Sequence, residues 1–368
     1  MGHLKVSFTP QPRRGPTLEA WTFSAADGGR WHPLEYAPGS SLPQPRLTSQ
    51  AALVGDELWL VGGWDPSAGP GMPQFLNDVW ALDLRSCSWR RVQLEPAAEG
   101  QELPPISRFA LAALPDGRLV LHTHRCDDHV LVLNPSAASG LAVTTAAATM
   151  SGDPRQAPPG GAILSRQSVY GALPGAQSPP SRGLHSLTVA AAPLLPQQQQ
   201  SEAVTSTGAG GSTALYMYGG APQSGPMYDD LWMLDTGSMT WRQLHPEGPT
   251  PHARCSHISG ACSGGSGVTG RYLIFIGGSY YALTGQLQPR DDVILYDTQT
   301  NRWLEAEVEG TQPSPRNAAI MVPLRTKGCD NSGDGGCDRF VLHGGWWPFV
   351  ETYDDTYIVT VTSVDGRK

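Results

Sequence analysis

Five arginines stand ahead of apolar or small-residue runs in this sequence: Arg46, Arg108, Arg182, Arg254 and Arg316. A guanidinium fork is suited to carboxylates and phosphates, which it grips through two parallel hydrogen bonds. Between the same runs lie Trp64, His124, Arg125, Tyr280, Tyr281, Arg290, Trp346, Trp347 and Phe349, types enriched where proteins bind one another. The chemistry expected is recognition of an acidic peptide by a cationic mouth rimmed with aromatic rings. The competing use of the arginines is internal, bonding loop carbonyls of the fold.

Other arrangements point away from catalysis. The acidic pairs Asp229/Asp230, Asp291/Asp292 and Asp354/Asp355 recur along the chain, which suits turns and strand starts better than a general acid and base, needed once. Residues 330 to 335, DNSGDG, begin like a calcium loop, but Val341 stands where the closing glutamate belongs. His122, His124 and His129 alternate around a strand end and make a weak metal set. No phosphate-binding loop, H-E-x-x-H or G-x-S-x-G motif is present. The reading is therefore no catalytic residue, no metal and no cofactor.

These side chains must be positioned by a repeat. ELWLVGG (57 to 63), NDVWALD (77 to 83) and Trp89 form one copy; LYMYGG (215 to 220), DDLWMLD (229 to 235) and Trp241 a second; YLIFIGG (272 to 278), DDVILYD (291 to 297) and Trp303 a third. RFVLHGG (339 to 345) with DDTYIVT (354 to 360) is a fourth. RLVLHT (118 to 123) with DDHVLVLN (127 to 134) is a divergent fifth, with His122 and Thr123 in place of the glycines. Another apolar or small-residue run precedes each, giving four short strands per unit, a to d, in a small antiparallel sheet. Such sheets bury their faces by stacking around an axis. The doublets Gly62–Gly63, Gly219–Gly220, Gly277–Gly278 and Gly344–Gly345 allow close backbone approach. Trp31, Trp89, Trp241 and Trp303 pack between units.

The doublets and the later Trp positions resemble the kelch repeat over residues 46 to 364. The resemblance implies an all-β, kelch-type β-propeller. Six four-stranded blades are favoured, the first lacking strand a and the last lacking strand d; five are possible. LKVSF (4 to 8), AWTFS (20 to 24) and RWHPLEY (30 to 36) stand as strands b, c and d of the first, since Trp21 to Trp31 repeats the spacing of Val79 to Trp89. The blade boundaries fall at 1–45, 46–107, 108–181, 182–253, 254–315 and 316–368. The imperfect closure raises the question of a shortened N-terminus.

Loops a–b and c–d share one face, and loops b–c and d–a the other. The first face receives the low-complexity stretches 193 to 212, 262 to 270 and 325 to 338, for which disorder is expected. An insertion over 136 to 181 replaces the recognisable strand d of the divergent blade, with LAVTTAAA (141 to 148) as a weak strand. The arginines and aromatics fall on the second face.

Gly (43) and Pro (33) are abundant and the charged fraction is 16%, which fits many short strands and tight turns. A net charge of −8 argues against nucleic acid as the partner. No apolar run is long enough to cross a bilayer, and no secretion signal is read at the start. The six cysteines form no C-x-x-C pair, so reduced thiols in the cytoplasm are expected, with nuclear entry open; Cys329 and Cys337 would pair only in an oxidising compartment. The function expected is a non-catalytic scaffold or adaptor, monomeric, holding a protein partner on the second face. Its rival is a propeller enzyme at the channel mouth, a galactose-oxidase-like or other metal-dependent oxidoreductase or lyase.

Overall fold

The computed structural model describes residues 16–135, 161–169, 177–193, 213–264, 268–324 and 338–362. The chain divides into two compact units, Met1–Val92 with Leu103–Ser107, and Gln93–Glu102 with Arg108–Lys368. All regular structure among the described residues is β.

In the first unit, β1 (Ala20–Ser24) and β2 (Arg30–Leu34) form a hairpin, and β3 (Gln50–Val54), β4 (Glu57–Trp64), β5 (Phe75–Asp83) and β6 (Ser88–Arg91) form one four-stranded antiparallel blade, blade 2. Leu34 and Tyr36, leaving the hairpin, pack on Trp80, Leu82 and Trp89 of that blade. Ala37 N–H donates to the Cys87 carbonyl beside β6.

In the second unit, β7 (Leu94–Pro96), β8 (Ala110–Ala113), β9 (Leu119–His122), β10 (His129–Pro135) and β11 (Ala162–Ser168) form blade 3. Blade 4 is β12 (Ser186–Ala191), β13 (Thr213–Tyr218), β14 (Leu231–Asp235) and β15 (Thr240–Leu244). Blade 5 is β16 (Ile258–Cys262) and β17 (Tyr272–Ile276), then β20 (Val293–Asp297) and β21 (Arg302–Glu305), with the small ribbon β18 (Ser279–Tyr281) and β19 (Leu287–Pro289) in its b–c loop. Blade 6 has three strands among the described residues, β22 (Ile320–Pro323), β23 (Asp338–His343) and β26 (Thr356–Val361), with the ribbon β24 (Trp346–Trp347) and β25 (Glu351–Thr352).

Among the described residues the repeat therefore yields five blades, the last with strands a to c, and where the first of the six expected would stand there is the β1–β2 hairpin. Its strand b candidate, 4 to 8, lies outside the described residues, as do LAVTTAAA, DNSGDG, Cys329 and Cys337. One expectation is corrected. The insertion after β10 does not replace strand d of the divergent blade: its far end is that strand, β11, antiparallel to β10 over Ala162–Ser168. The run AILSRQS carries no Trp, which is why the Asp-to-Trp spacing missed it.

Core packing in the second unit passes from blade to blade. Trp241 packs with Val120, Val130 and Val132 of blade 3, and Trp303 with Ala214, Tyr216 and Tyr218 of blade 4. Strand d thus carries a wide apolar ring across to the blade before it. The glycine doublet makes the close approach possible. Gly219 sits at φ +63°, and a Cβ there would lie 2.7 Å from the Arg254 carbonyl oxygen, the group that accepts from Gly220 N–H at 2.8 Å. Gly219→Ala is expected to destabilise the protein by about 2–4 kcal/mol, combining left-handed strain with backbone overlap. Thermal unfolding checks this, with Gly285→Ala, where the space is open, as the comparison.

Candidate partner-binding face

The repeated arginines are elements of the blades themselves. In blade 4 Arg182 Nη1 donates to the Gly219 carbonyl at 3.0 Å and to Asp230 at 2.5 Å, Nη2 to the second Asp230 oxygen at 2.8 Å, and Nε to the Pro180 carbonyl at 3.0 Å. The same set recurs for Arg46 with Gly62, Asp78 and Gln44, for Arg254 with Gly277, Asp292 and His252, and for Arg316 with Gly344, Asp355 and Ser314. Each arginine ties the start of strand a to the end of strand b and the start of strand c. All four are buried. Burial raises the Asp78 and Asp292 carboxyls, but the hydrogen bonds and charge of their arginines outweigh it, and both titrate below the ordinary 3.8. The hydrogen bond from Arg316 lowers Asp355 in the same way.

These four guanidinium groups therefore do not form the exposed cationic rim expected of them. The second residue of each acidic pair is their internal counter-ion. Tyr228 and Tyr353, unremarked in the sequence, cover Arg182 and Arg316, with the guanidinium carbon 4.1 and 4.5 Å from the ring centres. The first residues of the pairs, Asp229, Asp291 and Asp354, are exposed, so this face carries acidic as well as basic groups.

Arg108 departs from the set. The carbonyl that accepts from the second doublet glycine belongs to Arg254 for Gly220, to Arg316 for Gly278 and to Ile106 for Gly63, so Ile106 holds the arginine position in blade 3. Arg108 lies two residues later, at φ +56°, with Leu184, Ser256 and Ala318 as its counterparts at φ +60°, +53° and +53°. These residues are linked in series: Leu184 N–H donates to the Arg108 carbonyl, Ser256 to Leu184 and Ala318 to Ser256, at 3.0, 2.8 and 2.9 Å. The backbone of Arg108 is fixed while its side chain is exposed. With Ile106 at the arginine position of blade 3, Asp128 pairs instead with His129 at 2.6 Å and Arg166 at 3.7 Å.

Several other expected residues stand in the b–c loops of the second unit. A Cβ on Gly183 would lie 2.9 Å from the Arg108 carbonyl, and the neighbouring Ser181 hydroxyl donates to the His124 carbonyl at 2.5 Å. His124 is half-buried and Arg125 exposed. In blade 5, Arg290 lies over Tyr280 at 5.2 Å and shares Asp292 with Arg254, its Nε at 3.1 Å. Two guanidinium groups thus face one carboxylate. Tyr281 is exposed; in blade 6 Trp346 and Trp347 are half-buried, and Phe349, 91% exposed, meets Trp346 edge-on at 5.8 Å. Leu283 and Val350, both exposed, extend this apolar rim and were not singled out in the sequence. Trp64 belongs to the first unit, where β-pairing sets it between Leu47 and Phe75, both exposed.

The metal candidate His122 turns inward. Its Nδ1 lies 3.2 Å from Nε2 of His185, and both rings are buried, away from half-buried His124. Among the described residues no group of three or more His, Cys, Asp or Glu side chains is placed to hold a metal ion, and no helix is long and apolar enough to cross a membrane.

Comparison with known proteins agrees with this geometry. The model of the KLHDC2/KLHL20/DRC7 Kelch-repeats domain matches residues 195–363, and that of the Kelch motif matches residues 45–93. The chain is a kelch-repeat protein. This kelch chain is 25% identical over 288 residues to acyl-CoA-binding domain-containing protein 4 of Arabidopsis thaliana, covering 77% of the chain and 34% of that relative. It is 34% identical over 116 residues to the Rab9 effector protein with kelch motifs of Bos taurus, covering 31% of the chain and 28% of that relative. The kelch chain thus spans about a third of the length of the curated relatives it matches. Its fold resembles the solved structure of YjhT, with a TM-score of 0.58, 14% identity and coverage of 94% of this chain and 89% of that one.

Proposed function

We propose that this kelch protein is a non-catalytic scaffold that holds a partner protein on the face formed by its b–c and d–a loops, gripping an acidic segment through Arg108 and Arg125. The observation that carries the reading is that Arg108 is presented where every other repeated arginine is folded inward. Arg290, sharing one carboxylate with Arg254, adds positive charge beside Tyr280, and Tyr281, Trp346, Trp347 and Phe349 supply the rigid apolar contact that hot spots use. The relatives with kelch motifs, one of them named as an effector of Rab9, support a role in protein interaction. A cytoplasmic location and a monomeric state belong to the same proposal.

Affinity capture with mass spectrometry tests it, comparing the wild type with Arg108→Ala/Arg125→Ala and with Phe349→Ala. The arginine variant should weaken capture of its main partner about tenfold or more, and the remaining binding should depend less on salt. Partner recovery unchanged in both variants would refute the face.

A further inference from the structure

We infer that the b–c loops of blades 5 and 6 form a second anchor on the loop face, for a segment of the partner in which large apolar side chains alternate with lysine or arginine. This deepens the reading given under the proposed function and rests on it.

The observation that points there is the backbone of Phe349. Trp347, Pro348, Phe349 and Val350 make a tight turn, closed by Val350 N–H donating to the Trp347 carbonyl at 3.0 Å. Proline suits the second position of such a turn, but the third, at φ +63°, is one that calls for glycine or asparagine. The b–c loops of blades 2, 4 and 5 obey that rule, with Gly71 at φ +82°, Gly225 at +108° and Gly285 at +78°. The other non-glycine residues at positive φ among the described residues all recur by repeat. Thr48, Arg108, Leu184, Ser256 and Ala318 form one set, and Cys87, Met239 and Asn301, each four after the Asp that ends strand c, form another. Phe349 belongs to neither. Strain of this kind persists where the side chain has a use, and Pro348 is buried while the Phe349 ring stands in solvent. The ring thus adds almost no burial to the fold and is available to a partner.

The neighbouring blade presents the same chemistry. Ribbon β18–β19 leaves blade 5 as ribbon β24–β25 leaves blade 6: Ser279 bridges to Cys255 and Trp346 to Asn317, each one residue after the repeated arginine. Leu283 in the first loop and Val350 in the second are exposed. Charge selects the occupant. Over 279–292 and 346–355 the single basic residue is Arg290, already bonded to Asp292. Asp291, Glu351 and Asp354 are exposed and make no ion pair among the described residues. Apolar tips set among unpaired carboxylates complement a cationic, apolar segment and repel an anionic bilayer. The free cations of this face, Arg108 and Arg125, lie on blade 3. The face is therefore polarised, and a bound segment has one direction on it: acidic end at blade 3, basic and apolar end at blades 5 and 6.

The test titrates two labelled peptides, GKLKWKLKG and GELEWELEG, into the full chain by fluorescence anisotropy. Saturable binding of the lysine peptide is expected, about tenfold or more tighter than that of the glutamate peptide and weakened by salt. Glu351→Lys/Asp354→Lys should reverse the preference. Phe349→Ala and Phe349→Gly should each weaken the lysine peptide about tenfold. Phe349→Gly should at the same time raise the thermal midpoint by roughly 1–3 °C, because glycine relieves the turn; a ring needed for folding would give a fall. Equal binding of the two peptides, no saturable binding, or a lower midpoint for Phe349→Gly would each overturn the inference. So would binding to phosphatidylserine vesicles that Phe349→Gly abolishes, which would assign the tips to a membrane. If the peptide result fails while partner capture still depends on Arg108 and Arg125, this anchor is refuted and the loop-face reading stands.

Discussion

Replacing Arg182 by alanine is expected to lower the unfolding free energy by about 3–5 kcal/mol, because a buried charge pair loses one partner and leaves the other uncompensated. Asp230 would lose both guanidinium bonds and the Gly219 and Pro180 carbonyls a donor each. Arg254→Ala should cost less, since Asp292 retains Arg290. Arg108→Ala, exposed and outside the network, should stay within about 0.5 kcal/mol. Urea denaturation of the three variants gives the order directly. Equal losses for Arg182 and Arg108 would contradict the buried hub, and the order also decides which arginines are safe to mutate in a binding assay.

Stability should fall steeply as pH drops below the ordinary histidine value. Burial lowers His122 and His257 from 6.5 to about 3, and lowers His185 well below 6.5. The unfolded chain therefore binds protons at these residues in a window where the folded chain does not. Stability rises with pH through that window, is fully present above 6.5, and is lost as pH falls towards 3. Each histidine contributes a slope of about 1.4 kcal/mol per pH unit. The lowered carboxyls of Asp78, Asp292 and Asp355 act in the same direction but at lower pH, below their ordinary 3.8. Denaturation midpoints measured between pH 5 and 8 check this, and His257→Gln should reduce the slope by about a third. A flat profile would mean that the rings are protonated in the folded protein.

The parts of the fold set by short-range chemistry could be read from the residues. Gly-Gly, the acidic pair and Trp six residues after the strand-ending Asp each mark a local backbone requirement, and the blades followed from them. The arginine role was harder because its counter-ion is remote: Arg46 meets Asp78 and Arg182 meets Asp230 across b–c loops and insertions of different length, so no constant spacing announces the pair. One signal was available. Arg46, Arg182, Arg254 and Arg316 each precede the first residue of strand a by four positions, and Arg108 by two. That offset separates the exposed arginine from the buried ones. Strand β11 was hidden because it puts a small polar residue, Ser165 opposite Val132, where other blades use Trp.

The series Arg108, Leu184, Ser256 and Ala318 carries one more consequence. At these positions the protein holds its backbone by hydrogen bonds that any residue but proline can make, and accepts side chains as different as a cation, a hydrocarbon, a hydroxyl and a methyl group. The left-handed φ is unfavourable for any side chain and most for a β-branched one, yet even Thr48, the equivalent residue of blade 2, adopts it at +52°. Duplicated descendants of such a chain could therefore acquire new recognition by changing these few codons, without first having to restabilise the blades.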